Sequence, residues 1–221
     1  MFALHLYTRA ELFGFINRAY REGNPTEMEK WRVAVWYMIA AKRRLHGVAG
    51  VFFRGVGRLF NFVPVSDYRP GKVITWGGFS SSSADLRIAG KFMYGLQKPS
   101  EAEGVIFKIW TKTPAPIEWC SFVPEEREHL FLPSTSFRVR AWYQATATNL
   151  RRGMRPMDDE SNDFHLACDH IVQPVPLQIV NDEAGLRQQL THNHVLLVEM
   201  EEVILTDEDK LEFASAELGT T

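Results

Sequence analysis

Two cysteines, Cys120 and Cys168, are all that the 221 residues hold. They can pair once at most, which excludes a disulfide scaffold. A chain of this length buries about 70% of its unfolded surface and needs no such staples. Apolar runs of roughly 18 residues, the length a bilayer demands, are missing because Arg and Lys interrupt every candidate. The N-terminus, MFALHLYTRAELF, lacks a basic segment followed by an apolar stretch and a small-residue cleavage site. That absence favours the cytoplasm, unless the chain is a domain of a longer secreted protein. Lys/Arg-rich runs with interleaved aromatics are absent as well. Neither a nucleic acid nor a membrane is therefore expected as a partner.

What is present describes a globular chain. The 45% hydrophobic fraction excludes disorder. At about 150 residues per domain the length allows one large domain or two small ones. The net charge of −2 hides a division. Residues 1–110 carry 16 Lys/Arg against 8 Asp/Glu, a net of +8, and residues 111–221 carry 9 against 19, a net of −10. Such halves either meet partners of opposite sign, such as a phosphate ligand and a cationic substrate, or neutralise one another on folding.

The first 50 residues read as helices. Thr8-Arg9-Ala10-Glu11 has the form of a capping box. Behind it Leu12, Phe13, Ile16, Ala19 and Tyr20 recur at helical spacing until Gly23-Asn24-Pro25 stops the run. A second helix is predicted from Pro25-Thr26 through Trp31, Val35, Met38, Ile39 and Leu45, ended by His46-Gly47. The aromatics of these helices are read as core. From Gly50 onward short apolar and β-branched runs predict strands at Val51–Phe53, Val73–Trp76, Val105–Trp110, Ile117–Cys120, His129–Leu132, Phe137–Gln144 and Val195–Glu201. Helices are predicted at 84–94 and 181–190, and a frayed tail after Asp207. The class is α+β, with N-terminal helices packed on a largely antiparallel β core. We read residues 1–221 as a single domain. Residues 145–163 form a flexible surface loop in this reading, and 164–221 a C-terminal extension with a closing strand.

Three stations carry chemistry. Arg54-Gly55 ends an apolar strand: Arg offers a fork of donors suited to phosphate, and Gly lets a ligand approach the backbone. The bland alternative is a rim Arg in a surface ion pair. Ser80-Ser81-Ser82-Ser83 is either a solvated turn with a helix N-cap or a set of inward hydroxyls that orient a ligand or a carboxylate. Glu126 and Glu128 point to the same side of an extended segment. Two carboxylates close together suit substitution at an anomeric carbon, where positive charge develops. The alternative is a charged loop face. His165, Cys168, His170, His192 and His194 have the residue types for zinc, but their spacing matches no common finger or ribbon, so no metal is expected. Cys120 has no His partner at a recognisable spacing.

Arg54, the Ser cluster and Glu126-Arg127-Glu128, in this order, resemble the R-S-E signature of arginine-type mono-ADP-ribosyltransferases. The likeness extends to LHLYT at 4–8, to the Asn-x-x-x-Arg pattern Asn17–Arg21, and to SFVPEEREHLFLP at 121–133. It covers residues 4 to about 140. The resemblance implies an ADP-ribosyltransferase fold, a two-sheet core around an NAD cleft, and NAD as substrate without a metal. It implies transfer of ADP-ribose to an exposed arginine of a protein acceptor, with release of nicotinamide. NAD glycohydrolysis and a catalytically silent NAD-binding or interaction module are the alternatives. In this likeness Arg54 binds the pyrophosphate and the Gly55 backbone holds the nicotinamide amide. Ser81 binds near the nicotinamide ribose and positions Glu128, which hydrogen-bonds the ribose 2′-hydroxyl and stabilises the oxocarbenium-like transition state. Glu126 holds the acceptor guanidinium and helps to remove its proton. Phe92 stacks on nicotinamide, with Tyr94 as runner-up, and Trp119 and Phe122 lie on the substrate-recognition turn. Arg127, between the glutamates, either pairs with one of them or repels a cationic substrate.

Overall fold

Apolar side chains spaced by three and four residues produce three N-terminal helices: α1 (Phe2–Tyr7), α2 (Ala10–Glu22) and α3 (Pro25–Lys42). The computed structural model describes residues 2–57, 68–94, 104–146, 173–174 and 194–204. Gly23 ends α2 in the left-handed region at φ 60° and donates its N–H to the Ala19 carbonyl. Asn24 starts α3 at once, its side chain accepting from the N–H groups of Thr26 and Glu27.

The expected capping box does not form. Arg9 holds the N-cap position of α2 without a side-chain cap. The Thr8 hydroxyl belongs instead to α1, donating to the His5 carbonyl at 2.9 Å. The α3 helix stops at Lys42, short of Leu45. Buried Lys42 donates to the Thr113 carbonyl at 2.6 Å and pins the helix end to the segment that follows Thr111.

After β1 (Gly50–Gly57), β2 (Val73–Trp76) and β3 (Ser80–Ser83), helix α4 (Leu86–Tyr94) crosses to β4 (Gly104–Thr111). The remaining strands are β5 (Ala115–Pro116), β6 (Glu128–Phe131), β7 (Thr135–Thr146), β8 (Gln173–Pro174) and β9 (His194–Val203). Among the described residues their order is β2-β7-β9-β4-β1-β3-β6-β5, with β8 beside β7. Neighbours run antiparallel except β4 and β9. The class is α+β with a largely antiparallel core. Its two halves are continuous through one residue pair, Phe53 with Ser83, between β1 and β3.

Two sequence-based boundaries are corrected. Only Ala115–Pro116 pairs with β6, and Glu118–Cys120 is a 3-10 turn rather than strand. Short apolar runs do not distinguish the two by periodicity; here the Cys120 N–H turns back to the Ile117 carbonyl at 3.0 Å. Strand β7 continues through Thr146, so residues 145 and 146 of the loop assigned to 145–163 are strand. Its other residues, the helix at 181–190 and the tail after Asp207 lie outside the described residues, as do His165, Cys168, His170 and His192.

Alternation along the central strands builds the core. Val105, Phe107 and Ile109 of β4 join Leu196, Val198 and Met200 of β9 on one face. Ile106, Val195 and Leu197 meet α4 on the other. A third cluster joins Leu4, Tyr7 and Ile16 of the helices to Phe79 and Leu130. The charge division is partly neutralised within the fold: Lys108 of the basic half pairs with Glu199 of the acidic half at 3.1 Å.

Gly55 holds α4 against β1. A Cβ there would stand 1.8 Å from the Ala89 carbonyl oxygen. The glycine is therefore needed for helix–strand contact, and not only for the ligand approach that the sequence suggested. Gly55→Ala forces α4 outward, and overpacking of this kind costs about 1–3 kcal/mol. A melting midpoint lower by roughly 2–4 °C per kcal/mol is expected. An unchanged melting curve would show that the helix adapts without cost.

Candidate active site

The narrow join between β1 and β3 sets the site. Beyond Phe53 and Ser83 the strands part, and a cavity of about 180 Å³ opens between them. Arg54, Gly55, Ser81, Phe92, Glu126 and Glu128 all line it. At about 10–15 Å³ per water on this measure, the cavity takes a ring or a sugar with its hydration displaced.

Arg54 is half-buried in the wall and donates from Nη1 to the Ser81 carbonyl at 2.6 Å. Its guanidinium lies 5.6 Å from the centre of the Trp76 ring. It is not a rim arginine in a surface pair. Burial works against its charge, Tyr7, Tyr68 and Glu128 support it, and Arg21 opposes it. A guanidinium stays protonated throughout and keeps further N–H donors for an anion.

Ser80–Ser83 is strand β3, not a solvated turn, and Ser80, Ser82 and Ser83 are buried. Ser82 donates to the His129 carbonyl at 3.1 Å, and the Asp85 N–H reaches Ser83 Oγ at 3.1 Å ahead of α4. Ser81, on the other face of the strand from Ser80 and Ser82, donates to Glu128 Oε1. Ser81, Ser82 and Ser83 all line the cavity, and of these it is Ser81 that bonds the carboxylate.

Glu126 and Glu128 share the cleft by a different backbone from the extended one expected. Pro124–Glu126 forms a 3-10 turn, Arg127 takes left-handed φ 45° and ψ 49°, and Glu128 begins β6. Glu126 is half-buried and Glu128 buried. Burial lifts the Glu128 carboxyl above the ordinary range; the Ser81 bond opposes the lift, Glu126 adds to it and Arg54 counters it. Glu126 is lifted by burial and by Glu125, against Lys91. Arg127 is exposed; the Asp85 carboxyl, held low chiefly by its bonds to Arg87, is lowered a little further by the Arg127 charge.

Two cleft residues received no role from the sequence. Tyr7 is buried, accepts from Asn17 Nδ2 at 2.9 Å and also contacts Ser81. Its hydroxyl pKa is pushed up to about 12, chiefly by burial, so it stays a neutral donor. Asn17 Oδ1 is buried without a partner among the described residues. The Tyr-Thr and Asn-x-x-x-Arg patterns were the available signals. Phe13, read as core, lines the cleft, and Trp36 and Tyr37 of α3 are exposed. The helical spacing fixes a face but not what covers it.

Phe92 is half-exposed at the cavity mouth, while the side chain of Tyr94 lies outside the described residues. Trp119 and Phe122 stand exposed on the turn before Glu126. Burial pushes the Cys120 thiol up, away from the thiolate a nucleophile needs. Among the described residues no group of three His, Cys, Asp or Glu is placed to hold a metal. Chemically, the cleft offers a fixed cation from β1 and two carboxylates at the start of β6 and in the turn before it. That arrangement fits a ligand with phosphate at one end and developing positive charge at the other.

A family model described as NAD:arginine ADP-ribosyltransferase matches residues 1–152. Ecto-ADP-ribosyltransferase 5 of Mus musculus is 27% identical over 228 residues, covering 97% of this chain and 69% of that protein. Its Homo sapiens counterpart is 32% identical over 162 residues, covering 67% of this chain and 51% of that protein. The chain thus spans about half to two thirds of these relatives. Among solved structures, the Vibrio splendidus ADP-ribosyltransferase Vis in complex with agmatine superposes with a TM-score of 0.53. The match covers 93% of this chain and 74% of that one at 16% identity, a likeness that shows the fold.

Proposed function

This chain belongs to the NAD:arginine ADP-ribosyltransferase family, and from that premise we propose how its cleft moves ADP-ribose from NAD to an arginine side chain. What supports the reading is a single cleft lined by Arg54, Ser81, Glu126 and Glu128, with Ser81 bonded to Glu128 and its carbonyl bracing Arg54. Arg54 binds the pyrophosphate through its remaining donors, as a planar fork suits phosphate oxygens. The Gly55 backbone holds the nicotinamide amide, and Phe92 covers the ring.

The bond from ribose C1′ to the nicotinamide nitrogen breaks, and its electron pair leaves with nicotinamide. Positive charge then develops on the ribose. Glu128, oriented by Ser81, accepts from the 2′-hydroxyl and stabilises that charge. An acceptor guanidinium nitrogen bonds to C1′ and loses a proton, which Glu126 helps to remove. A free guanidinium hardly deprotonates, so the proton departs as the new bond forms. The acceptor is a protein with an exposed arginine, or a small guanidine of the agmatine kind. The "ecto" in the relatives' names speaks against carrying the cytoplasmic expectation over to this chain.

Incubation with labelled NAD, with and without agmatine, tests the reading. ADP-ribosyl-agmatine together with nicotinamide is the expected result. Nicotinamide and free ADP-ribose alone would mark a glycohydrolase, and no turnover a silent module.

A further inference from the structure

The segment from Ile117 to Arg127 carries Glu126 but is too short to satisfy itself. Within it, Ser121 N–H reaches the Glu118 carbonyl at 3.2 Å, and Arg127 N–H the Pro124 carbonyl at 3.0 Å. Two polar groups at its middle find their partners on or just beyond α1. The Cys120 carbonyl accepts from His5 Nδ1 at 2.8 Å, which fixes that nitrogen as the protonated one. Phe122 N–H donates to Thr8 Oγ1 at 3.1 Å. The Phe122 ring stacks on the His5 ring, centroids 4.2 Å apart and planes 21° from parallel. The Arg9 guanidinium lies 4.6 Å from the same ring centre. These contacts join residues more than a hundred positions apart, at the one stretch between Ile117 and Glu128 that the sheet does not hold.

Glu128 needs no such support. It lies in β6, paired with Ser83 and bonded to Ser81. The two carboxylates are therefore held differently: Glu128 by the sheet, with Tyr7 of α1 touching its partner Ser81, and Glu126 by a turn that His5 and Thr8 brace.

We infer that α1 is a positioning element for the acceptor half of the site: His5 and Thr8 hold the Ile117–Arg127 turn so that Glu126 faces the cleft. The inference rests on the reading of Glu126 as the acceptor carboxylate. Loosening the turn leaves NAD cleavage intact and lowers capture by the acceptor, because small displacements of a positioning group are costly to transfer.

The test uses the full chain and three variants, His5→Phe, His5→Asn and Thr8→Val, with nicotinamide release and ADP-ribosyl-agmatine measured together. His5→Phe keeps a ring against Phe122 and removes the N–H donor. It is expected to lower kcat/KM for agmatine by about tenfold, the worth of one hydrogen bond, while nicotinamide release without acceptor stays at the wild-type rate. His5→Asn restores a donor close to the Nδ1 position and recovers the wild-type ratio of transfer to hydrolysis. Thr8→Val lowers that ratio as His5→Phe does. A wild-type ratio in His5→Phe and Thr8→Val overturns the inference. So does an equal fall of transfer and hydrolysis, which would make α1 merely structural, and so does failure of His5→Asn to recover. A wild type that releases nicotinamide without forming ADP-ribosyl-agmatine overturns both this inference and the functional reading; changes confined to the variants bear on the inference alone.

Discussion

Glu128→Gln is expected to lower nicotinamide release about 10²–10³-fold, with or without an acceptor. This is the loss that follows when one group aimed at developing charge is removed from a preorganised site. Glutamine keeps the shape and still accepts from Ser81, so the change isolates the charge. The working form is the ionised one, since a neutral carboxyl gives little to an oxocarbenium-like ribose. Burial lifts the Glu128 carboxyl, and the bond from Ser81 holds it down. The wild-type rate therefore falls on acidification at a higher pH than an ordinary carboxylate sets, and Ser81→Ala moves that acid limb higher still. The same displacement bears on stability. A carboxyl raised on folding favours the folded state below its unfolded pKa, and that contribution is lost as pH rises through the folded value. At neutral pH the ionised Glu128 thus weakens the fold, and Glu128→Gln melts no lower than wild type. Lost activity with a clearly lowered melting point would point to unfolding rather than chemistry.

Glu126→Gln has a different expected outcome. Transfer to agmatine falls about 10²-fold or more, the usual contribution of a positioned general base. Hydrolysis of NAD persists, because Glu128 and Ser81 are untouched. Burial and Glu125 lift Glu126, which makes it a stronger base than an exposed glutamate. The measured quantity is the ratio of ADP-ribosyl-agmatine to free ADP-ribose. A ratio equal to that of wild type would remove Glu126 from the acceptor step. Loss of both products in parallel would place it in NAD cleavage instead.

The stations were legible because strand alternation needs few residues to present a side chain. Arg54 follows the apolar run Val51–Phe53, although β1 does not end there as the sequence suggested but continues to Gly57; four serines lie along β3, and Glu128 begins β6. Strand periodicity also indicates that a cluster of four serines cannot have one role. Less visible was the route by which Glu126 joins Glu128. Arg127 adopts a left-handed conformation that its type does not announce, so an extended i, i+2 pair and a turn followed by a strand have the same sequence signature. Gly55 reads equally as room for a ligand and as room for a helix; only the Ala89 carbonyl beside it decides. Long-range contacts were the least legible. Nothing in LHLYT reveals that His5 and Thr8 reach Cys120 and Phe122. Nor does the closing strand's sequence say that β9 inserts between β4 and β7, parallel to one and antiparallel to the other.

The division of charge acquires a local meaning in the cleft. Arg54 comes from the basic half, and Glu126 and Glu128 from the acidic half, and all three line one cavity. Elsewhere the halves neutralise one another, as Lys108 and Glu199 do.

The most direct measurement is mass spectrometry of a guanidine-bearing peptide after incubation with NAD and the enzyme. The account predicts a gain of one ADP-ribosyl group on the arginine side chain, and none on the same peptide with lysine in its place. NAD consumed with both peptides unmodified would contradict it.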